Sequence, residues 1–153
     1  RHFGALPAPQ IVEIDRGARQ FLLFALPPGQ QEGSCSAAAI MHVDTPRPGT
    51  QVGRAFSVWG WAIKDEVGIA RVVLLLDGEP LVDASYGDKN SWAGEFFADL
   101  SRDPNLPNVQ FEADVVLPAS VSGWHVLGLE LHGADGSIER WAGPRVQVVD
   151  TPE

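Results

Sequence analysis

The sequence predicts an all-β protein: an antiparallel β-sandwich with one short helical insertion, preceded by a β-hairpin segment. Three observations carry that expectation. From about residue 40 onward, apolar runs of strand length recur between turn segments such as TPRPGT, KDEVG, Asp77-Gly78 and Ala134-Asp135-Gly136. Short strands punctuated by Gly and Pro are the pattern of a sandwich. Within RAFSVWGWAI the period is two: Phe56, Val58, Gly60 and Ala62 share one face, and Ser57, Trp59, Trp61 and Ile63 the other. Finally, one segment breaks the rhythm. In residues 91–100, Trp92, Phe96 and Leu100 stand four apart, which is the spacing of one helical face.

Taken in order, residues 1–39 read as a hairpin and linker, the tail of a preceding domain, and residues 40–150 as the sandwich. Ile11, Val12 and Ile14 make a first short strand and residues 21–26 a second, with Asp15-Arg16-Gly17 supplying the turn chemistry between them. A lone hairpin is marginal in water, so this one needs something to pack on. PPGQQEGSCSAAA has no apolar period and reads as linker. IMHVD is a strand closed by TPRPGT. After RAFSVWGWAI, KDEVG turns the chain into IARVVLLLDG, apolar from residue 72 to 76, and Asp77-Gly78 signals a hairpin to PLVDAS. Ser91 is placed to cap the helix. Pro104 and Pro107 hold off regular structure until a strand at residues 111–117. WHVLGLELHG, SIERWAG and RVQVVD supply the last strands.

Bulk properties narrow the class. At 153 residues, 44% hydrophobic and 20% charged, the chain suits one packed domain, or one domain and a fragment. A formal charge of −9 argues against nucleic acid and anionic membrane surfaces, both of which need a Lys/Arg patch. Cys35 is the single cysteine, so no internal disulfide is possible. It lacks a neighbouring base in sequence and reads as a small buried or loop thiol. No apolar stretch approaches the ~20 residues of a membrane-spanning helix. The chain starts at Arg1 with neither methionine nor a signal-peptide pattern, and is expected to be an excised piece of something longer.

No constellation carries catalysis. His2, His42, His125 and His132 lie on different segments, without a Cys or His at metal-ligand spacing. GxSxG, GxGxxG, Walker, HExxH and CxxC patterns are absent. The twenty acidic residues read as a solvated face rather than a glycosidase pair. Asp77, Asp83, Asp88, Asp99, Asp103 and Asp135 fall at or near loops, where sandwiches can bind calcium, but without EF-hand or repeat spacing. The expectation is therefore no catalytic residue, no resident metal and no cofactor.

The five tryptophans are more informative. Burying a large aromatic removes about 150–250 Å² from water, worth several kcal/mol at ~25 cal/mol per Å². That favours the interior for every indole able to reach it. Phe56 and Val58 claim one face of their strand, so Trp59 and Trp61 point the other way. Three fates are open to them: cover by the hairpin, cover by the helical insertion, or exposure as a contact surface. A bulge at Gly60 would return one of them to the core. Trp92 shares a helical face with Phe96 and is expected inside. Trp124 opens an apolar strand in either register. Trp141 sits near a chain turn and is expected outside. The candidate ligand-binding residues are Trp59, Trp61 and Trp141, as stacking platforms for a glycan.

The pattern GWAIKDEVGIARVVLLLDG, then YGDKNSWAGEF, then GWHVLGLELHGADGS resembles bacterial Ig-like domains. Gly60-Trp61-Ala62, Asp65, Gly68-Ile69, Val72, Leu74, Leu76 and Asp77-Gly78 carry the first part of that resemblance. Tyr86-Gly87 carries the second, with Lys89-Asn90 where the family has Arg-Pro. Gly123, His125, Leu127, Leu129 and Asp135-Gly136 carry the third. The resemblance spans about residues 40–150 and implies an Ig-like sandwich, a non-catalytic accessory role, and a periplasmic or extracellular place in the cell envelope. It also implies that Trp61 belongs to the framework, whereas Trp59 is this chain's own. Partners would be other domains of the same parent or another envelope protein, with a glycan as the alternative. The texture of residues 1–39 suggests a parent such as a membrane glycosyltransferase, with this chain as its soluble C-terminal part.

Overall fold

A computed structural model describes residues 10–12, 21–23 and 37–150. The chain divides into two compact units, Arg1–Cys35 and Ser36–Glu153. In the first, β1 (Gln10–Val12) and β2 (Phe21–Leu23) pair antiparallel, with Ile11 opposite Leu22. The expected strand positions Ile14 and 24–26, the Asp15-Arg16-Gly17 turn and the linker as far as residue 36, with Cys35, lie outside the described residues.

The second unit is a β-sandwich. One layer is β3 (Ile40–Thr45), β5 (Ala55–Ile63) and β8 (Gln110–Val116), with β5 in the middle. The other runs β6 (Ile69–Leu76), β9 (Gly123–Gly133), β10 (Ile138–Val148) and β4 (Gln51–Val52). A long strand, β7 (Glu79–Asp88), belongs to both layers. Its first half pairs with β6, Ala84 opposite Val72, and its second half with β8, Tyr86 opposite Phe111. It therefore carries the hydrogen-bonded order across the corner of the sandwich, as strands that switch sheets do. The β4–β10 pair is parallel, so the sandwich is not antiparallel throughout.

Alternation builds the core. Val58 and Ala62 of β5, Val72 and Leu74 of β6, Phe111, Ala113 and Val115 of β8, and Leu127, Leu129 and Leu131 of β9 all turn inward and are buried. These are every-second residues, as a pleated strand requires. The inward face expected for β5 is the observed one, with Phe56 packed against this core. Gly60 is there because the facing strand is too close for a side chain. A Cβ on it would lie 2.0 Å from the His42 carbonyl oxygen and 2.9 Å from the Phe111 ring. The irregularity that Gly60 suggested sits on β3 instead, between Val43 and Thr45.

The Asp77-Gly78 turn is the two-residue hairpin expected, with φ of 51° and 85°. Left-handed conformation at both positions matches the strand twist, and an Asp-Gly pair tolerates it. SIERWAG and RVQVVD are not two strands but one, β10, whose register shifts between Ala142 and Arg145. The shift lets Pro144, which has no N–H to give the ladder, stay within the strand.

The helix differs from expectation in three ways. It is α1, Ser91–Phe97, and does not reach residue 100. Its cap is Asn90, not Ser91: the Asn90 Oδ1 accepts from the Ala93 amide at 2.9 Å. Its buried residues are Ala93 and Phe97, whereas Trp92, expected inside, is half-exposed with Phe96. The cause is the choice between two apolar i, i+4 pairs. Phe97 reaches the outer face of β5, and that contact rotates the 92/96 pair into solvent.

Candidate binding surface

The outer face of β5 carries Ser57, Trp59, Trp61 and Ile63, and α1 covers its C-terminal half. Trp61, Ile63, Ala93, Phe97 and Val109 form a small second core there. Trp61 is only 7% exposed. The Phe97 ring meets the Trp61 indole edge-on with centroids 5.1 Å apart, and Trp92 lies 5.8 Å away in a tilted arrangement. Tyr86 packs against both cores and donates its hydroxyl to the Ala62 carbonyl at 2.9 Å. Burial pushes that phenol well above its ordinary pKa, so it remains a donor.

The three candidate tryptophans thus separate. Trp61 is a wall of an interior under the insertion, so it has no open ring face for a ligand. Trp59, two residues along the same face, is 37% exposed and stands between Thr45 of β3 and Glu112 of β8. Trp141 is 40% exposed but lies in the other layer, on β10 opposite Leu129 of β9. Trp59 and Trp141 therefore do not join into one platform. Trp124 is also half-exposed, with the Arg145 guanidinium 4.7 Å above its ring.

A different pair makes the larger aromatic surface. Trp92 and Phe96 stack with centroids 4.9 Å apart and an interplanar angle of 12°, and are 49% and 48% exposed. Leu100 extends the apolar line and is 68% exposed. Their spacing was visible in the sequence, but it read as burial.

The insertion is held rigidly from below. Asp103, buried, accepts from the Lys64 amide and from the Asn105 amide, both at 2.7 Å. Asp65 accepts from the Arg102 amide at 2.6 Å and from the Ser101 hydroxyl, which together hold its carboxyl below the ordinary range. Gly94 allows α1 to close on Pro107, since a Cβ there would come within 2.5 Å of the proline Cβ. A cleft of about 530 Å³ opens beside this contact, lined by Lys89, Ser91, Glu95, Ser101, Leu106 and Pro107 among others.

The acidic loop residues do not converge. Among the described residues, no group of three His, Cys, Asp or Glu is placed to hold a metal ion. Asp77 bonds His125 and the Val126 amide, Asp83 pairs with Arg71, and Asp135 accepts from Ser137. Each serves the fold locally.

No protein-family model matches the chain, and no curated protein matches it. Among solved structures it is similar to the fibronectin(III)-like modules of Clostridium thermocellum CbhA, at 15% identity and a TM-score of 0.45. The similarity covers 72% of this chain and 46% of that one, so the chain spans less than half the length of that neighbour.

Proposed function

We propose that this chain is a non-catalytic accessory module of a larger bacterial envelope protein, in the periplasm or outside the cell, and that the aromatic side of α1 is its partner-facing surface. The half-exposed Trp92–Phe96 stack carries this reading. Covering the open halves of two large aromatics is worth about 4 kcal/mol at ~25 cal/mol per Å². A contiguous apolar surface on an insertion outside the main core is the usual mark of a contact site. The sequence resemblance to appended Ig-like domains supports the accessory role. The texture of residues 1–39 favours a membrane glycosyltransferase-like parent, with this chain as a soluble part. The test is a double variant, W92S/F96S, in the whole protein. We expect normal folding by circular dichroism and loss of association with the rest of the parent or its partner in cross-linked extracts. Unchanged association overturns the reading.

A second reading is a carbohydrate-binding module. Trp59 favours it, because its part-exposed indole lies on the strand position opposite Glu112, whose carboxylate can accept from sugar hydroxyls. Titration with neutral oligosaccharides, followed by tryptophan fluorescence, should then show quenching that disappears in W59A. No quenching at millimolar sugar removes this reading.

A further inference from the structure

We infer that the occupant of the α1 face is a cationic polypeptide segment, one that sets an Arg or Lys beside an apolar side chain. The inference rests on the reading of that face as the partner surface and adds the partner's chemistry.

The α1 region repeats one pattern. Trp92 is followed three residues on by Glu95, and Phe96 by Asp99. Residues at that spacing neighbour each other on a helix or its last turn, so a row of carboxylates borders the aromatic line. Both carboxylates are on exposed residues. Neither has a hydrogen bond or ion pair among the described residues. Five other carboxylates are matched by cations, Asp150 with Arg54, Glu139 with Lys64, Asp83 with Arg71, Glu66 with Arg102 and Glu130 with Arg140. Glu79, Asp88 and Glu112 are as unmatched as Glu95 and Asp99, so what marks the α1 face is that its two carboxylates follow the exposed aromatic pair at helical spacing. Lys89 is the cation on the cleft side of the helix and shares that lining with Glu95, without a bond to it.

The surface therefore offers two things that a cation uses together. Aromatic faces attract guanidinium and ammonium groups through the ring quadrupole. Unpaired carboxylates complete the ion pair and, for Arg, accept in a forked geometry. The chain's charge of −9 steers cationic partners in and repels anionic ones such as nucleic acid or acidic lipid. A neutral glycan would use the rings and could donate hydroxyls to the carboxylates, but it would leave their charge unbalanced. Complementarity of charge thus selects among the occupants that the rings alone would accept.

The experiment places a photo-crosslinking phenylalanine analogue at position 96 of the whole protein in its native cells, and identifies the captured residues by mass spectrometry. We expect a polypeptide segment with Arg or Lys within two residues of the cross-link. Capture should fall about 3- to 10-fold in E95Q/D99N, and by a similar factor when salt is raised from low ionic strength to physiological levels and beyond. Capture of a segment without basic residues, or capture indifferent to both the variant and the salt, overturns the cationic partner while leaving the surface as an interface. Capture of glycan alone, or of nothing, overturns the interface reading as well.

Discussion

The Phe97 ring stands edge-on to the Trp61 indole, 61° between their planes, and this contact decides which side of the insertion is inside. Phe97 is 8% exposed and Trp61 7%, while the next aromatic along the helix surface is half-open. F97A should cost about 3–5 kcal/mol in urea denaturation, since it leaves a cavity over Trp61. W92A should cost well under half of that. Equal costs for the two would mean that the helix packs by its other face.

Leu74 is 1% exposed in the middle of β6. L74A should lower stability by about 2–5 kcal/mol through the cavity that it opens. A loss below about 1 kcal/mol would mean that β6 is turned the other way round.

The buried ammonium of Lys64 reaches the Glu139 carboxylate at 2.6 Å and the Ala37 carbonyl at 2.9 Å. Both Glu139 oxygens also lie 3.1 Å from the Ala39 amide. This pair ties the start of the sandwich unit to β10 and to the end of β5. E139A should cost about 3–5 kcal/mol, because it strands a buried cation. The double variant K64M/E139L should recover most of that loss, since an apolar pair carries no desolvation penalty. A double variant no better than E139A would assign the loss to the Ala39 amide rather than to the charge.

Gly60 lets β3 approach β5. G60A should prevent the Val43–Gly60 pairing and destabilise the protein by more than about 2 kcal/mol, with protection of the β3 amides lost in hydrogen exchange. Retained protection would show that β3 can shift to make room.

His125 and Asp77 set a pH limit. The His125 Nδ1 donates to Asp77 at 2.6 Å, and its Nε2 lies 3.0 Å from the Ser122 carbonyl oxygen. Both partners are acceptors, so both contacts are hydrogen bonds only in the imidazolium. The bond to Asp77 raises the His125 pKa, against the opposing effect of burial. The bonds from His125 and the Val126 amide lower that of Asp77. The His125 contribution is complete below the unfolded value of ~6.5 and is lost as pH rises through the higher folded value. The Asp77 contribution is complete above ~3.9 and is lost as pH falls through its lower folded value. Stability should therefore decline from near neutrality upward in the wild type. In D77N that decline should flatten, and the His125 pKa by NMR should fall. An unchanged His125 pKa in D77N would contradict the pairing.

Local pattern was enough for the strands. The two-residue period in 55–63 named its inward face, and Asp77-Gly78 announced its turn, because both depend on residues adjacent in sequence. Other features rest on long-range packing. The sequence does not show that β7 bends from one layer to the other, that Pro144 lies within a strand, or that Gln51-Val52 pairs parallel with β10. The candidate surface divides in the same way. Trp59 and Trp61 are two residues apart on one face, and no periodicity tells them apart. Trp61 is covered because α1 comes back over its end of β5, and Trp59 lies beyond that cover. In α1 itself both the 92/96 and the 93/97 pairs are apolar at helical spacing, so periodicity announces a helix with an apolar face but not which pair faces in. Burial of 93/97 follows from the long-range contact of Phe97 with Trp61, which no pattern local to the helix can specify.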